Sequence, residues 1–476
     1  MSLDVFKQSL DEDDIVASLQ AGLIGEGTKL PGLFGDVALT YADFVASGRA
    51  LTQVEDYIRN HVLPYYANSH TEASFCGQYI TRLRAAGRAE IARLTNAQDG
   101  CSVIFCGSGA TAGINRLVTL FGVNNAENPV VFIGPYEHHS NILPWRESKA
   151  TVVEIPESAG GGPDLEMLQR ALEAHKDADL KIGSFSAASN VTGVITDPDP
   201  VTRLLKSHGA LSVWDYAGGA PYLPIDMSPA DDCQKDAVVA SPHKFPGGPG
   251  ASGLLIVRDD AITVTAPTWP GGGTVSFVSP WTHQYSGNLS SREEAGTPNV
   301  IGDIRAALAF VVKDMVTQDF ISKREAELNA MAFAGLKDNP QLTLLGVDRP
   351  HRLPIFSFLV KRKDGTRCHH QLFTRMLSDI YGIQVRGGCA CAGPYAHTLL
   401  EIDADASDTL LSAILQGKEL EKPGWVRLNF SYLMSDEQAH FIIESINELT
   451  ARLDEFECYY AADASTARFS KIEPAA

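Results

Sequence analysis

Ser241-Pro-His-Lys244-Phe places a lysine between two apolar runs. Asp236-Ala-Val-Val-Ala240 precedes it, and Pro246-Gly-Gly-Pro-Gly250 separates it from Gly253-Leu-Leu-Ile-Val257. β-Prone runs punctuated by turn residues read as strand, tight loop, strand. An ammonium held among buried strands loses hydration, which lowers its pKa and favours the neutral amine. A neutral amine is the form that condenses with an aldehyde cofactor as a Schiff base. A lone loop lysine is more often a solvated surface residue, so the reading depends on what else the chain supplies.

Four further groups have the right chemistry. Cys101-Ser-Val-Ile-Phe-Cys106 runs into Gly107-Ser-Gly-Ala110-Thr111 and out along a helical pattern. Backbone N–H groups at such a helix start, with the Thr111 hydroxyl, make a phosphate cup, although glycines also serve tight turns for backbone reasons alone. Val130-Val-Phe-Ile-Gly134 leads to His138-His139. Consecutive side chains diverge, so this is not a metal pair; one imidazole can stack on an aromatic ring. Asn190 and Asp215 each follow an apolar run. A carboxylate at a strand end can keep a pyridine nitrogen protonated, whereas the plain alternative for both is a turn-forming Asx residue.

Positioning these groups needs regular elements. Apolar runs at 101–106, 130–134, 151–155, 180–186, 211–215, 236–240 and 253–257 alternate with helical patterns at 111–121, 164–175 and 198–208. That alternation predicts an α/β domain with a large, mostly parallel seven-stranded sheet, where ligands sit at the carboxyl ends of strands. Residues 266–300, rich in Gly, Pro, Ser and Thr, read as an irregular functional loop. A helix over 301–335 leads to a smaller C-terminal α/β domain with strands near 354–360, 383–386 and 424–431 and helices over 368–381 and 435–456. The expected division is an N-terminal helical arm (1–36), a large domain (37–310) and a small domain (311–476). In the arm, residues 1–25 read as a short amphipathic helix rich in acid over Ser9–Leu19, with those acids in the first turn. Patterns over 51–63 and 75–95 predict two more helices. The polar tail beyond 460 is expected to fray.

At 476 residues, with 44% apolar and 20% charged residues, the chain is long enough for two or three domains with ample core. A net charge of −19 argues against nucleic acid and anionic membrane as partners. No apolar run reaches membrane-spanning length, and the first residues lack a secretory layout. Eight cysteines without an export signal read as free thiols, so the cytoplasm is the expected compartment. Cys389-Ala-Cys391 is too closely spaced for the usual CxxC zinc or redox site.

Phosphate cup, stacking histidine, Asn, Asp and Ser-x-His-Lys occur in one order, each at a strand end. In that combination the chain resembles the fold-type-I pyridoxal-phosphate enzymes of aminotransferase class V. Within them it is similar to the cysteine desulfurase and selenocysteine lyase group, from about Tyr41 to about Ile446. The resemblance implies pyridoxal 5'-phosphate as a Schiff base on Lys244, with Ser241, His243, Ala110 and Thr111 around the phosphate. His138 would stack on the ring and act in catalysis, Asp215 would hold the ring nitrogen, and Asn190 the ring hydroxyl. Thr297, in Glu294-Ala-Gly-Thr-Pro, would reach the phosphate of the other subunit, which implies a homodimer with shared active sites.

Gln384-Val-Arg386-Gly-Gly-Cys389-Ala-Cys391 resembles the desulfurase segment in which the catalytic cysteine follows an arginine by five residues, and so picks Cys391. Trp425-Val-Arg427 resembles the strand whose arginine grips the substrate carboxylate, a task suited to a planar fork. Arg386 would assist, and His70 falls at another substrate-facing position. The implied reaction takes sulfur from L-cysteine or a related amino acid, giving alanine and a Cys391 persulfide, with a sulfur-acceptor protein as a further partner. The alternatives on the same cofactor site are a class V aminotransferase and a selenocysteine- or kynurenine-type β-lyase; a silent binding scaffold is a third. Three features depart from the pattern: Gly218 for a usual glutamine, Cys389 for a common histidine, and a longer stretch from Tyr395 to Lys422.

Overall fold

The computed structural model describes residues 3–69, 72–97, 100–349 and 351–472. It divides into two compact units. The first comprises the chain through Ile24, Ser47–Ala188 and Thr196–Phe320; the second comprises Gly25–Ala46, Ser189–Ile195 and the chain from Ile321.

All seven expected strands form in the first unit: β1 (Cys101–Cys106), β2 (Pro129–Ile133), β3 (Thr151–Glu154), β4 (Leu180–Ser186), β5 (Leu211–Asp215), β6 (Ala237–Ala240) and β7 (Gly253–Arg258). They make one sheet in the order β1-β7-β6-β5-β4-β2-β3. The pairs from β3 through β6 are parallel, and β7 is antiparallel to both its neighbours. β2 and β6 are buried along their whole length, which is why they read as unbroken apolar runs rather than as alternation. Helices α1 (Phe75–Leu94), α2 (Gly109–Leu120), α3 (Leu165–Ala174), α4 (Pro198–Ser207) and α5 (Val300–Val316) complete the unit. Val131, Val213, Val239 and Leu255 on the sheet pack with Ile114 and Leu117 of α2 in one buried cluster. Each such side chain contributes about 1.5–3 kcal/mol. β1, β2, β4, β5 and β6 point the same way, so the segments that follow them leave one edge of the sheet.

The second unit holds a sheet ordered β8 (Leu342–Leu344), β9 (Ile355–Lys361), β12 (Trp425–Asn429), β11 (Arg386–Gly388), with β10 (Arg367–Cys368) paired to β9. Helices α7 (His370–Tyr381), α8 (Gly393–Leu399), α9 (Ala404–Leu415) and α10 (Asp436–Ala451) accompany it. Phe356, Phe358, Phe373, Met376, Leu428 and Ile442 are fully or almost fully buried in its core. Thr40–Tyr41 pairs in parallel with Ile383–Gln384, and the Asn429 N–H donates to the Ala42 carbonyl. These bonds fix the 40–45 segment beside β12.

Three expectations are corrected. The helix over 301–335 is two, α5 and α6 (Gln318–Leu336), because Thr317 takes φ 72° and ψ 143°, which no helix accommodates. The N-terminal helix expected within 1–25 is also two, Asp4–Ser9 and Ile15–Ala21; the acids at 11–14 do not fill a first turn, and Asp14 instead caps the second helix by accepting from the Ala17 N–H. The tail does not fray at 460: Tyr460–Asp463 and Arg468–Lys471 form an antiparallel hairpin, anchored by the buried Tyr460 ring. The 395–422 stretch is mostly helical, as α8, α9 and a short turn at Glu419–Glu421.

Candidate active site

In the first unit the Lys244 turn is held by backbone contacts. Pro242–Lys244 is a single 3-10 turn between the buried Ser241 and the fully buried Phe245. The Gly48 N–H donates to the His243 carbonyl and the Gly247 N–H to the Arg49 carbonyl, at 2.9 and 2.7 Å. Glycine is required at two of these places. A Cβ on Gly48 would lie 1.9 Å from the Phe245 carbonyl oxygen, and one on Gly248 1.9 Å from that of Pro242. Burial, joined by the neighbouring Lys244 charge, pulls the His243 imidazole down to about 4, so it is neutral at pH 7.

The Ser241 hydroxyl accepts the Ala110 N–H at 3.0 Å, which ties the lysine turn to the start of α2. Thr111 shares a hydrogen bond of 2.7 Å with the Ser140 hydroxyl, and Ser140 in turn lies 3.0 Å from His138 Nδ1. The Ser140 N–H donates to the same Nδ1, so that nitrogen accepts and the ring proton sits on Nε2. Asp215, at the end of β5, is 4% exposed. Its Oδ1 accepts the Ala217 N–H at 2.7 Å. Burial raises its pKa, against the lowering influence of that bond and of the Lys244 charge. The first unit therefore brings together Ala110, Thr111, His138, Asp215, Ser241, His243 and Lys244 from four strand ends. A helix start rich in donors, a buried carboxylate with one oxygen uncommitted and an amine within its electrostatic reach fit pyridoxal phosphate. Thr297 follows Gly296 on an exposed loop. Its base is fixed by Glu293 to Arg116 of α2, and by Glu294 to Arg84 and Arg88 of α1.

In the second unit Arg386 and Arg427 are register partners on β11 and β12. Asp43 bridges them, with Oδ1 2.8 Å from Arg427 and Oδ2 3.1 Å from Arg386. Arg427 is 3% exposed and also donates to the Asn190 carbonyl at 3.1 Å. Burial depresses its pKa, while the Asp43 charge supports the cation. Arg386 engages Asp43 through Nε and is half exposed at its side chain. Asn190 donates from Nδ2 to the Ala390 carbonyl at 2.8 Å, and its Oδ1 is buried without a hydrogen bond. Cys391 is exposed and Cys389 half-buried, both as free thiols. His70 lies outside the described residues.

Sequence reasoning missed Asp43 and Glu137. Asp43 is separated from Arg427 by 384 residues, so no local spacing could pair them. Glu137 precedes His138 and is 2% exposed. It accepts from the Asn141 amide, the Ser186 N–H and the Ser186 hydroxyl at 2.5, 2.8 and 2.6 Å. Ser186 is the register partner of Asp215, so this carboxyl fastens the His138 turn to the strand beside Asp215. Among the described residues no group of three or more metal-ligating side chains is present.

Burial lifts the Glu137 carboxyl from 4.5 to about 7, outweighing its three donated hydrogen bonds. The folded protein thus keeps a proton that the unfolded chain releases above 4.5. That stabilisation is complete at low pH and is lost as the pH rises through 7. Between pH 5 and 8 the wild type should lose about 2–3 kcal/mol relative to Glu137→Gln, whatever constant offset the substitution brings. Urea midpoints across that range check it; parallel pH profiles for the two proteins would refute it.

Comparison with known proteins accords with this geometry. The family model for Aminotransferase class-V matches residues 40–438. A cysteine desulfurase of Enterobacter sp. (strain 638) is 32% identical over 370 residues, 75% of this chain and 85% of that protein. A probable cysteine desulfurase of Staphylococcus aureus (strain COL) is 28% identical over 397 residues, 80% and 92% of the two chains. The apo cysteine desulfurase of Thermococcus onnurineus NA1 superposes with a TM-score of 0.71 at 23% identity, covering 87% of this chain and 95% of that one. The cysteine desulfurase CsdA of Escherichia coli, in its S-sulfonic acid form, gives 0.70 at 22% identity, covering 92% and 98%. The structural likenesses establish the fold-type-I architecture. By the reach of the family match, the chain belongs to aminotransferase class V, a family of pyridoxal-phosphate-dependent enzymes.

Proposed function

We propose that this enzyme is a cysteine desulfurase that uses Lys244, Asp215 and His138 to hold pyridoxal phosphate and Cys391 to take the sulfur. The observation that carries the reading is the second unit's arrangement: two arginines in register on neighbouring strands, one of them five residues before an exposed thiol. A carboxylate grip beside a nucleophile is what sulfur abstraction from an amino acid requires.

Pyridoxal phosphate, when bound, withdraws electrons from the substrate's Cα. The chain's own residues do the rest. Donors at the start of α2 with Ser241 and Thr111 hold the phosphate, helped by a neutral His243. Asp215 would hold the cofactor's ring nitrogen in its protonated form, and His138, with its proton on Nε2, would support the ring. Lys244 Nζ would take up the substrate's Cα proton. Arg386 offers its exposed guanidinium end to the substrate carboxylate, while Arg427, tied to Asp43 and Asn190, braces the strand beneath. The Cys391 thiolate attacks the substrate sulfur; the carbon–sulfur bond breaks, Cβ is protonated, and alanine leaves with the sulfur retained on Cys391.

A homodimer belongs to the same reading. The segment leading to Thr297 exposes Trp269, Phe277, Val278 and Trp281, the last at 90%, more apolar surface than one loop of a monomer ordinarily shows to water. No described helix is long and apolar enough to cross a membrane, and the cytoplasm is the compartment proposed.

Incubation of the purified protein with L-cysteine should yield alanine and sulfane sulfur. Cys391→Ser should reduce desulfuration by more than roughly a hundredfold while leaving the bound-cofactor absorbance in place. Alanine formation at wild-type rate in that variant would instead support a β-lyase, and amino-group transfer to a keto acid that survives in it would support an aminotransferase. For the dimer, sedimentation equilibrium should return twice the chain mass of 51.3 kDa; a monomer at micromolar concentration contradicts it.

A further inference from the structure

The reaction described above uses Cys391 and leaves its neighbour Cys389 idle. The Ala392 N–H donates to the Cys389 carbonyl at 3.1 Å, closing residues 389–392 into a β-turn. Its two central residues, Ala390 and Cys391, have φ of 52° and 57°, the left-handed region that non-glycine residues rarely enter. That is the mirrored hairpin-type turn, built here without glycine at either centre. The conformation is held from outside the turn by the Asn190 amide on the Ala390 carbonyl.

A left-handed residue has a consequence for its flanking side chains. It brings the Cα atoms on either side to about 5.4 Å, the mirror image of the helical i,i+2 spacing and inside the range that a disulfide spans. An extended residue at 390 would spread them to about 6.7 Å, the edge of that range. The turn thus sets a Cα separation compatible with a disulfide between Cys389 and Cys391 while both remain thiols. One is exposed and the other half-buried, as suits an attacked sulfur and a thiol held in reserve.

We propose that Cys389 is a resolving thiol, which attacks Sγ of the Cys391 persulfide and displaces the outer sulfur as hydrosulfide. The inference rests on the desulfurase reading for where that persulfide comes from. In the step, the bond between Cys391 Sγ and the outer sulfur breaks as the Cys389–Cys391 disulfide forms. The outer sulfur leaves with both electrons of the broken bond, and the Cys389 proton is taken up by hydrosulfide. The two cysteines are oxidised and the sulfane sulfur is reduced. A dithiol reductant is then required to restore both thiols by exchange. Attack within one turn has the advantage of high effective concentration over any thiol in solution. The enzyme would accordingly release inorganic sulfide and draw on a dithiol, rather than depend on an acceptor protein.

The test loads the holoenzyme with inorganic polysulfide, which persulfidates Cys391 without any cysteine turnover, and then removes excess reagent with no thiol added. Wild type should release sulfide and leave the peptide containing both cysteines two hydrogens lighter. Cys389→Ser and Cys389→Ala should both release roughly tenfold less sulfide or lower, with Cys391 remaining one sulfur heavier. A wild type that keeps the sulfur on Cys391 as long as these variants do, or that joins Cys391 to another cysteine, overturns the proposal. Alanine formation from cysteine, followed separately in the wild type, reports on the desulfurase reading, so the two can fail independently.

Discussion

A carboxylate buried at the end of a strand with one neutral donor is an unstable arrangement, and Asp215 is in that position. Desolvation of a lone ion costs several kcal/mol unless an opposite charge or a proton compensates it. Within the first unit the Lys244 charge reaches it only as a secondary influence. The surrounding elements make sense as ways of keeping that carboxylate dry and aimed. β5 carries it, and β4 pairs Ser186 to it in register. The Glu137–Asn141–Trp145 network fixes the turn that presents His138. In the function proposed above, a protonated heteroaromatic nitrogen is the charge that would compensate this carboxylate.

The second unit solves a related problem differently. Arg427 is as buried as Asp215, but its charge is met within the chain by Asp43 and by a backbone carbonyl. A paired buried arginine is a firm support and a poor ligand for a new anion, because a substrate would have to compete with a short ion pair already formed. Arg386 shares the same aspartate yet keeps its outer end in solvent. Under the proposed function, this difference in exposure is the reason to assign the substrate carboxylate to Arg386 rather than, as the resemblance implies, to Arg427. The left-handed Ala390 and Cys391 belong to the same economy of position: backbone conformations that residues ordinarily avoid persist where neighbouring bonds over-determine them, as the Asn190 amide does here.

Much of this was legible in the chain because the relevant signals are local. Strands that are largely buried announce themselves as apolar runs, and the groups that matter follow them directly, so Lys244, Asp215, His138 and the α2 start could be found by reading past each run. What stayed hidden was either long-range or contrary to composition. Asp43 meets its arginines only because Thr40–Tyr41 pairs with Ile383–Gln384, which no spacing in the sequence encodes. The break at Thr317 carries neither glycine nor proline, and the polar segment after 460 pairs with itself through backbone bonds that hydropathy does not register. Glu137 carries no local signal of its role; its burial became visible only with the sheet around it.

The central claim is that the amine of residue 244 bears the cofactor covalently. Borohydride treatment of the holoenzyme followed by peptide mapping addresses it without reference to any substrate. The account predicts a phosphopyridoxyl group fixed on the peptide containing Lys244, in an amount matching the cofactor bound. A label on any other lysine, or cofactor released unreduced, would contradict it.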